Sequence, residues 1–115
     1  MKATRHYSKK QEAAVAKYLG GKRVSNSGAT RFDKGDVQLS DWLIECKTKT
    51  SQSKSFTVQK EWLEKNREEA FAMGKHNSAL CFDFGDIVRY YIIDEKSFGK
   101  LVQAIRDEEA GYRGM

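Results

Sequence analysis

The spacing of apolar residues along the chain predicts three helices, over residues 8–19, 57–73 and 95–107. Ser8 and Gln11 have capping-box spacing at the start of the first helix, and Thr57 is a suitable N-cap for the second. Glycines directly after these two helices can take the left-handed conformation that ends a helix. The residues expected on the buried helix faces are Val15, Ala16, Leu19, Trp62, Leu63, Ala70, Phe71, Met73, Phe98, Leu101, Val102 and Ile105.

Five shorter segments have the alternation or the β-branched and aromatic content of strands. A tight turn joins the second strand to the third as a hairpin, and another turn joins the fourth to the fifth. The element order is therefore α-β-β-β-α-β-β-α, which predicts a mixed α/β fold, a small sheet flanked by helices on both faces. The predicted strands cover residues 23–25, 36–39, 42–48, 78–84 and 87–93.

Composition narrows the class of protein. Of 115 residues, 39% are hydrophobic and 32% are charged, as is typical of a single globular domain. No apolar run is long enough to span a membrane and the first residues lack the apolar part of a signal peptide, so we expect a cytoplasmic protein with no membrane partner. Cys46 and Cys81 lack the spacing of a zinc site, so we expect two reduced thiols.

Basic residues are concentrated in the first third of the chain. Residues 1–35 carry nine basic and two acidic side chains (+7), residues 36–65 carry five of each (0), and residues 66–115 carry seven and nine (−2), which adds up to the net charge of +5. This distribution indicates a polyanionic partner such as nucleic acid. A charged surface that only keeps the protein soluble would produce a similar pattern.

Two carboxylates and a lysine lie on the predicted hairpin. Because side chains alternate along a strand, Glu45 and Lys47 point to the same face, and Asp36 can approach Glu45 from the partner strand. Two converging carboxylates supply the hard oxygen ligands that Mg²⁺ prefers and leave positions for water and phosphate oxygens. A lysine beside them can orient or deprotonate an attacking water and stabilise charge on phosphorus. The pattern predicts hydrolysis of phosphodiesters.

Glu12 is a further candidate, because it precedes Val15, Ala16 and Leu19 at helical spacing and so lies in line with the apolar face of the first helix. Bringing a carboxylate toward the interior is costly unless it has a partner, and a metal ion would serve. The alternative is that its side chain reaches out to solvent.

The hairpin motif consists of Gly-Asp, eight further residues and Glu-x-Lys, between a first helix that carries a glutamate and a long second helix. A serine-containing loop at 25–29 precedes the motif, and the segment 55–63 opens the second helix. Together these features, over roughly residues 8–93, resemble the PD-(D/E)XK nuclease superfamily. Within it they are most similar to the archaeal-type Holliday junction resolvases, which phages also carry.

The resemblance implies a restriction-endonuclease-like αβββαβ core and a homodimer that nicks opposed strands of a four-way DNA junction. It also implies Mg²⁺, for which Mn²⁺ substitutes, and products with a 5′-phosphate and a 3′-hydroxyl. It further implies a role in DNA recombination and DNA repair. The implied site residues are the metal ligands Asp36, Glu45, Glu12 and the backbone carbonyl of Cys46, the water-orienting Lys47, and Ser27 in a loop near the scissile strand.

Residues that flank this site are candidates for contacts with the DNA backbone, although some of them are ordinary surface charges. Gln59 in the second helix either binds near the metal or phosphate or is solvated. The candidates for DNA contacts are Arg23, Ser25, Arg31, Lys34, Lys49, Lys54 and Lys60.

Two other functions remain open at the level of sequence. One is a nuclease of the same superfamily that cuts flaps, damaged duplexes or restriction-type sites. The other is a non-catalytic basic module that binds nucleic acid, in which the acidic cluster is only structural. The dimer surface also remains open between the last strand, around Tyr90 and Ile92, and the last helix, around Phe98 and Val102.

Overall fold

A computed structural model of the chain describes residues 2–24, 36–49 and 51–113. The elements follow the predicted order α-β-β-β-α-β-β-α. Their bounds are α1 Lys2–Leu19, β1 Lys22–Arg23, β2 Asp36–Gln38, β3 Trp42–Lys47, α2 Lys60–Ala72, β4 Asn77–Asp83, β5 Arg89–Ile92 and α3 Glu95–Arg113.

The five strands form one mixed sheet in the order β1-β2-β3-β4-β5. Neighbouring strands pair antiparallel except for β3 and β4, which are parallel. A parallel pair needs a crossover connection, and α2 supplies it. Helix α1 packs on one face of the sheet and α2 on the other, which confirms the small mixed α/β architecture.

The main core lies between α1 and the sheet. Gly20, with φ of 72°, takes the left-handed conformation that ends α1 beside it. The strand residues of this core alternate with Glu45 and Lys47, so these two charged side chains belong to the opposite face, where α2 lies. The core consists of Val15, Ala16, Val37, Ile44, Cys46, Ala79 and Cys81.

On the α2 face, Leu43 and Leu80 are fully buried and a polar residue anchors the helix. The buried Asn66 amide donates hydrogen bonds to the backbone carbonyls of Leu43 (3.3 Å) and Ala79 (3.0 Å). These bonds tie α2 to the two parallel strands. They fix which side of α2 faces the sheet.

Two predicted helix starts are wrong. Helix α1 begins at Lys2 instead of Ser8, since residues 2–7 contain no glycine or proline to prevent helix formation. Helix α2 begins at Lys60 instead of near Thr57, because Gln59 is extended (φ −88°, ψ 128°) and is the N-cap residue without a side-chain capping bond.

Several strand and helix ends also differ from the prediction by a few residues. Strand β5 starts at Arg89 instead of Ile87, and α3 continues from Asp107 to Arg113. Strand β1 ends at Arg23, and Ser25, where the predicted strand ended, lies outside the described residues.

Part of the predicted core is exposed. The stripe of α2 that faces the sheet runs through Trp62, Asn66 and Ala70, one turn apart, so Phe71 points away and is 84% exposed. The sequence prediction missed this orientation because it did not consider Asn66, whose buried amide binds the sheet. The predicted core residues that are exposed are Leu19, Phe71, Met73, Phe98, Leu101 and Ile105.

Cys46 and Cys81 are buried free thiols at directly paired positions of β3 and β4. No helix in the described part of the chain is both long and apolar enough to cross a membrane.

Candidate active site

Asp36 and Glu45 are directly opposite each other in the antiparallel pair of β2 and β3. Residues in this relation have Cβ atoms about 5 Å apart. Asp36 is 3% exposed, and Glu45 is half-buried. The hairpin therefore brings two carboxylates together, as the alternation of side chains predicts.

Lys47 lies two residues after Glu45 on the same face, and its Nζ atom is 4.4 Å from the centre of the Trp62 ring on α2. A cation over an aromatic face is attracted by the ring's quadrupole. Trp62 was predicted only as a core residue, but it also contacts the Lys47 ammonium on the face of β3 that carries Glu45. The contact suits a lysine that keeps its positive charge.

Glu12 is buried on the α1 side of the sheet, where its Oε1 atom lies 3.6 Å from Nε of Arg23. Arg23 was predicted as a DNA contact, and here its guanidinium offsets part of the cost of burying Glu12. Helical spacing correctly placed this carboxylate toward the interior. Its alternative orientation into solvent is wrong.

The pKa of the buried Cys46 thiol depends on its contact with Cys81 and on nearby negative charges. Its pKa is raised, first because the thiol donates a hydrogen bond to Cys81, then because it is buried, and then because Glu12 and Asp36 lie nearby with negative charge. Glu12 and Asp36 therefore act on the same buried atom from α1 and β2. Glu12 lies on the α1 side of the sheet, whereas Asp36 and Glu45 are directly paired on β2 and β3.

Gln11 joins α1 to the strand ends that carry the site. Its Nε2 atom donates to the backbone carbonyl of Lys47 (3.1 Å) and to Oδ2 of Asp83 (2.9 Å). Oδ1 of Asp83 in turn accepts from the backbone N–H of Gly85 (2.8 Å). Gln11 and Asp83 are both buried, so these bonds are shielded from water and hold the end of β3 in place.

We expect Gln11→Ala to lower the free energy of unfolding by about 1–3 kcal/mol, because it leaves the buried Asp83 carboxylate and the Lys47 carbonyl without this donor. Urea unfolding would measure the change. The control is Lys10→Ala, which alters an exposed neighbour and should change stability by less than about 0.5 kcal/mol. Equal stability of the two variants would contradict the role of Gln11.

A cleft of ≈ 720 Å³ opens next to this network, between α1 and the ends of β3, β4 and β5. Lys10, Lys49 and Arg89 line it together with Gln11 and two carboxylates, Asp83 and Asp86. The cations outnumber the carboxylates by one, which leaves a weakly positive environment for phosphate groups. Lys49 was predicted from the sequence, whereas Lys10 and Arg89 were missed, because only the fold brings them to this cleft.

The other described residues that were predicted to contact DNA lie outside this cleft or already have partners within the protein. Lys49 donates a hydrogen bond to the Ser55 carbonyl (2.8 Å), and its Nζ is 5.6 Å from the centre of the Phe56 ring. Lys54, Lys60 and Gln59 are exposed on or just before α2, and Gln59 accepts a hydrogen bond from the Trp62 backbone N–H. The predicted residues that lie outside the described part of the chain are Ser25, Ser27, Arg31 and Lys34.

The hairpin can supply two carboxylate ligands to Mg²⁺. Asp36 and Glu45 offer hard carboxylate oxygens, and Mg²⁺ commonly takes one or two carboxylates while it keeps several waters. Among residues 2–24, 36–49 and 51–113, no three His, Cys, Asp or Glu side chains form a group suited to hold a metal ion. A site here would therefore rest on the opposed pair.

In comparison with known proteins, no family model, curated protein or solved structure matches the chain. The functional conclusion therefore depends on the residues themselves.

Proposed function

We propose that this protein is a Mg²⁺-dependent structure-selective DNA endonuclease of the restriction-endonuclease-like αβββαβ type. The most specific form of the proposal is a Holliday junction resolvase that nicks opposed strands as a homodimer. The observation that carries it is the direct pairing of Asp36 with Glu45, with Lys47 two residues further on the same face. The second supporting feature is the cleft that Lys10, Lys49 and Arg89 line just beyond the end of β3, the strand that carries Glu45 and Lys47.

Asp36, Glu45 and the backbone carbonyl of Cys46 would hold the ion, with Glu12 as a further carboxylate of the site. Bound Mg²⁺ supplies Lewis-acid stabilisation of the phosphate and lowers the pKa of water. Opposed carboxylates repel each other unless a cation lies between them or nearby. A divalent ion bound by both carboxylates would offset this repulsion.

Lys47 has the role of orienting the attacking water and stabilising the negative charge that develops on the phosphate. Its contact with Trp62 favours a positively charged side chain, which suits charge stabilisation better than proton abstraction. Trp62 is then a positioning residue, because it acts through Lys47.

The DNA backbone would enter through the cleft lined by Lys10, Lys49 and Arg89. Contacts between these cations and phosphates give affinity without sequence selection. Arg23 is a weaker candidate, since it already contacts Glu12. Ser27 retains its proposed place near the scissile strand, and Mn²⁺ is expected to substitute for Mg²⁺.

The test is incubation of the purified protein with a labelled four-way junction and with linear, nicked and flap duplexes of the same sequence. We expect paired nicks in the junction that require Mg²⁺ or Mn²⁺ and leave 5′-phosphate ends. Equal cleavage of linear duplex would contradict resolvase selectivity. Preferred cleavage of the flap would support a nuclease with a different substrate.

A second candidate is a non-catalytic basic module that binds nucleic acid. The ion pair of Glu12 with Arg23 favours it, because the protein itself neutralises one carboxylate of the cluster. This function predicts salt-dependent DNA binding without a requirement for a divalent metal and without product.

A further inference from the structure

Helix α3 has an apolar stripe that its own domain leaves exposed. Phe98, Leu101, Val102 and Ile105 recur at spacings of three and four residues and so lie on one side of the helix. Phe98 and Ile105 are 59% and 57% exposed. Between residues 95 and 111, Ser97 is the only buried residue of α3 and Val102 the only half-buried one. An amphipathic helix normally buries such a stripe against another helix or a sheet.

An apolar groove lies beside this stripe, on the face of the sheet that α1 leaves open. Its volume is ≈ 360 Å³, and Leu101 forms part of its wall, so the groove and the stripe are one continuous surface. The remaining lining residues are Leu19, Leu39, Trp42, Ile44, Ala79, Tyr91 and Ile93.

We propose that a second copy of this chain covers the surface, with the two α3 helices packed antiparallel about a twofold axis between Leu101 and Val102. In this arrangement Phe98 of one copy is opposite Ile105 of the other, and the second helix also lies over the groove, because Leu101 belongs to both features. A twofold contact of this kind uses the same patch on both partners.

Two charged residues of α3, Glu95 and Arg106, are complementary in this orientation. Glu95 and Arg106 are 11 residues apart, about three helical turns, so they lie in line along one side of the apolar stripe and near its two ends. Antiparallel packing brings Glu95 of each copy close to Arg106 of the other, which makes two ion pairs. It also places the helix dipoles in opposite directions, so that each end of one helix lies beside an end of opposite partial charge.

This inference identifies the surface of the homodimer in the proposed function, but its test does not depend on nuclease activity. Light scattering coupled to size exclusion, over a range of micromolar concentrations, should give the mass of two chains for the wild type. Ile105→Glu should raise the dissociation constant by roughly 100-fold or more, because an unpaired charge would be buried at the contact.

Ala104→Glu is the matched control, since it adds the same charge at an exposed position next in sequence but off the stripe. This variant should remain dimeric. A monomeric wild type, a dimeric Ile105→Glu, or equal dissociation of both variants would overturn the inference.

A charge exchange provides a second measurement that leaves the apolar stripe intact and applies even if Ile105→Glu fails to fold. Glu95→Arg and Arg106→Glu should each weaken the dimer several-fold, and the double variant should restore it. Additive weakening in the double variant would contradict the antiparallel pairing. Loss of cleavage with an intact dimer would remove the nuclease proposal and leave this one in place.

Discussion

Lys47→Ala is expected to reduce cleavage of a four-way junction by about 100-fold to 1,000-fold while it leaves DNA affinity nearly unchanged. The reason is that the Lys47 ammonium lies on the same face as Glu45, where the phosphate would be attacked, and not among the cations of the cleft. Its removal takes away stabilisation of the developing charge, whereas the phosphate contacts of Lys10, Lys49 and Arg89 remain.

Single-turnover cleavage with saturating protein would measure this effect, and binding without divalent metal would measure affinity. Lys49→Ala is the matched control, since this lysine is two residues further along the chain and lines the cleft. It should weaken binding and reduce its salt dependence, with little change in the cleavage rate of the saturated complex. If Lys47→Ala and Lys49→Ala have the same effect on both quantities, Lys47 is only one more phosphate contact.

The pairing at the centre of the site could be predicted from the sequence because a short turn sets the register of a hairpin. The turn at Ser40 and Asp41 pairs Leu39 with Trp42, where the Leu39 N–H donates to the Trp42 carbonyl at 2.9 Å. The pairs further from the turn are then fixed one after another, and the third pair beyond Leu39 and Trp42 is Asp36 and Glu45. Local information was sufficient for this part of the fold.

Contacts between distant segments could not be predicted in this way. Gln11 and Asp83 are 72 residues apart, and their hydrogen bond exists only because α1 crosses the ends of β3 and β4. The contact of Trp62 with Lys47 depends on the rotation of α2, which the buried Asn66 fixes through two backbone carbonyls. A single sequence gives no signal for either arrangement, since both depend on how the elements pack.

For the exposed stripe of α3, the sequence was insufficient for a different reason. Its periodicity correctly predicted an amphipathic helix, but periodicity alone does not say whether the apolar side faces the same chain or another one. Only the burial of α3 residues in the fold separates these cases. Of the two dimer surfaces left open by the sequence, the one around Phe98 and Val102 is therefore the one we propose.

Asp36→Asn is expected to lower Mg²⁺ affinity by at least about tenfold and to remove the stabilisation that the ion gives to the folded protein. For the wild type, Mg²⁺ at 100 times its dissociation constant should raise the free energy of unfolding by about 2.7 kcal/mol. Mg²⁺ should give Asp36→Asn no such increase at the same concentration, because one of the two paired carboxylates is lost.

Titration calorimetry would measure the affinity, and thermal unfolding with and without Mg²⁺ would measure the linkage. Asp41→Asn is the control: it also removes a carboxylate, but at the far end of the same hairpin, where Asp41 accepts hydrogen bonds from His76 and Asn77. Mg²⁺ should still stabilise this variant. If neither Mg²⁺ nor Mn²⁺ binds the wild type, with or without DNA, the carboxylates are structural and the non-catalytic module becomes the better explanation. Binding that is lost only in Asp36→Asn would instead identify the opposed pair as the metal site, since the two variants differ in the position of the lost charge and not in its sign or size.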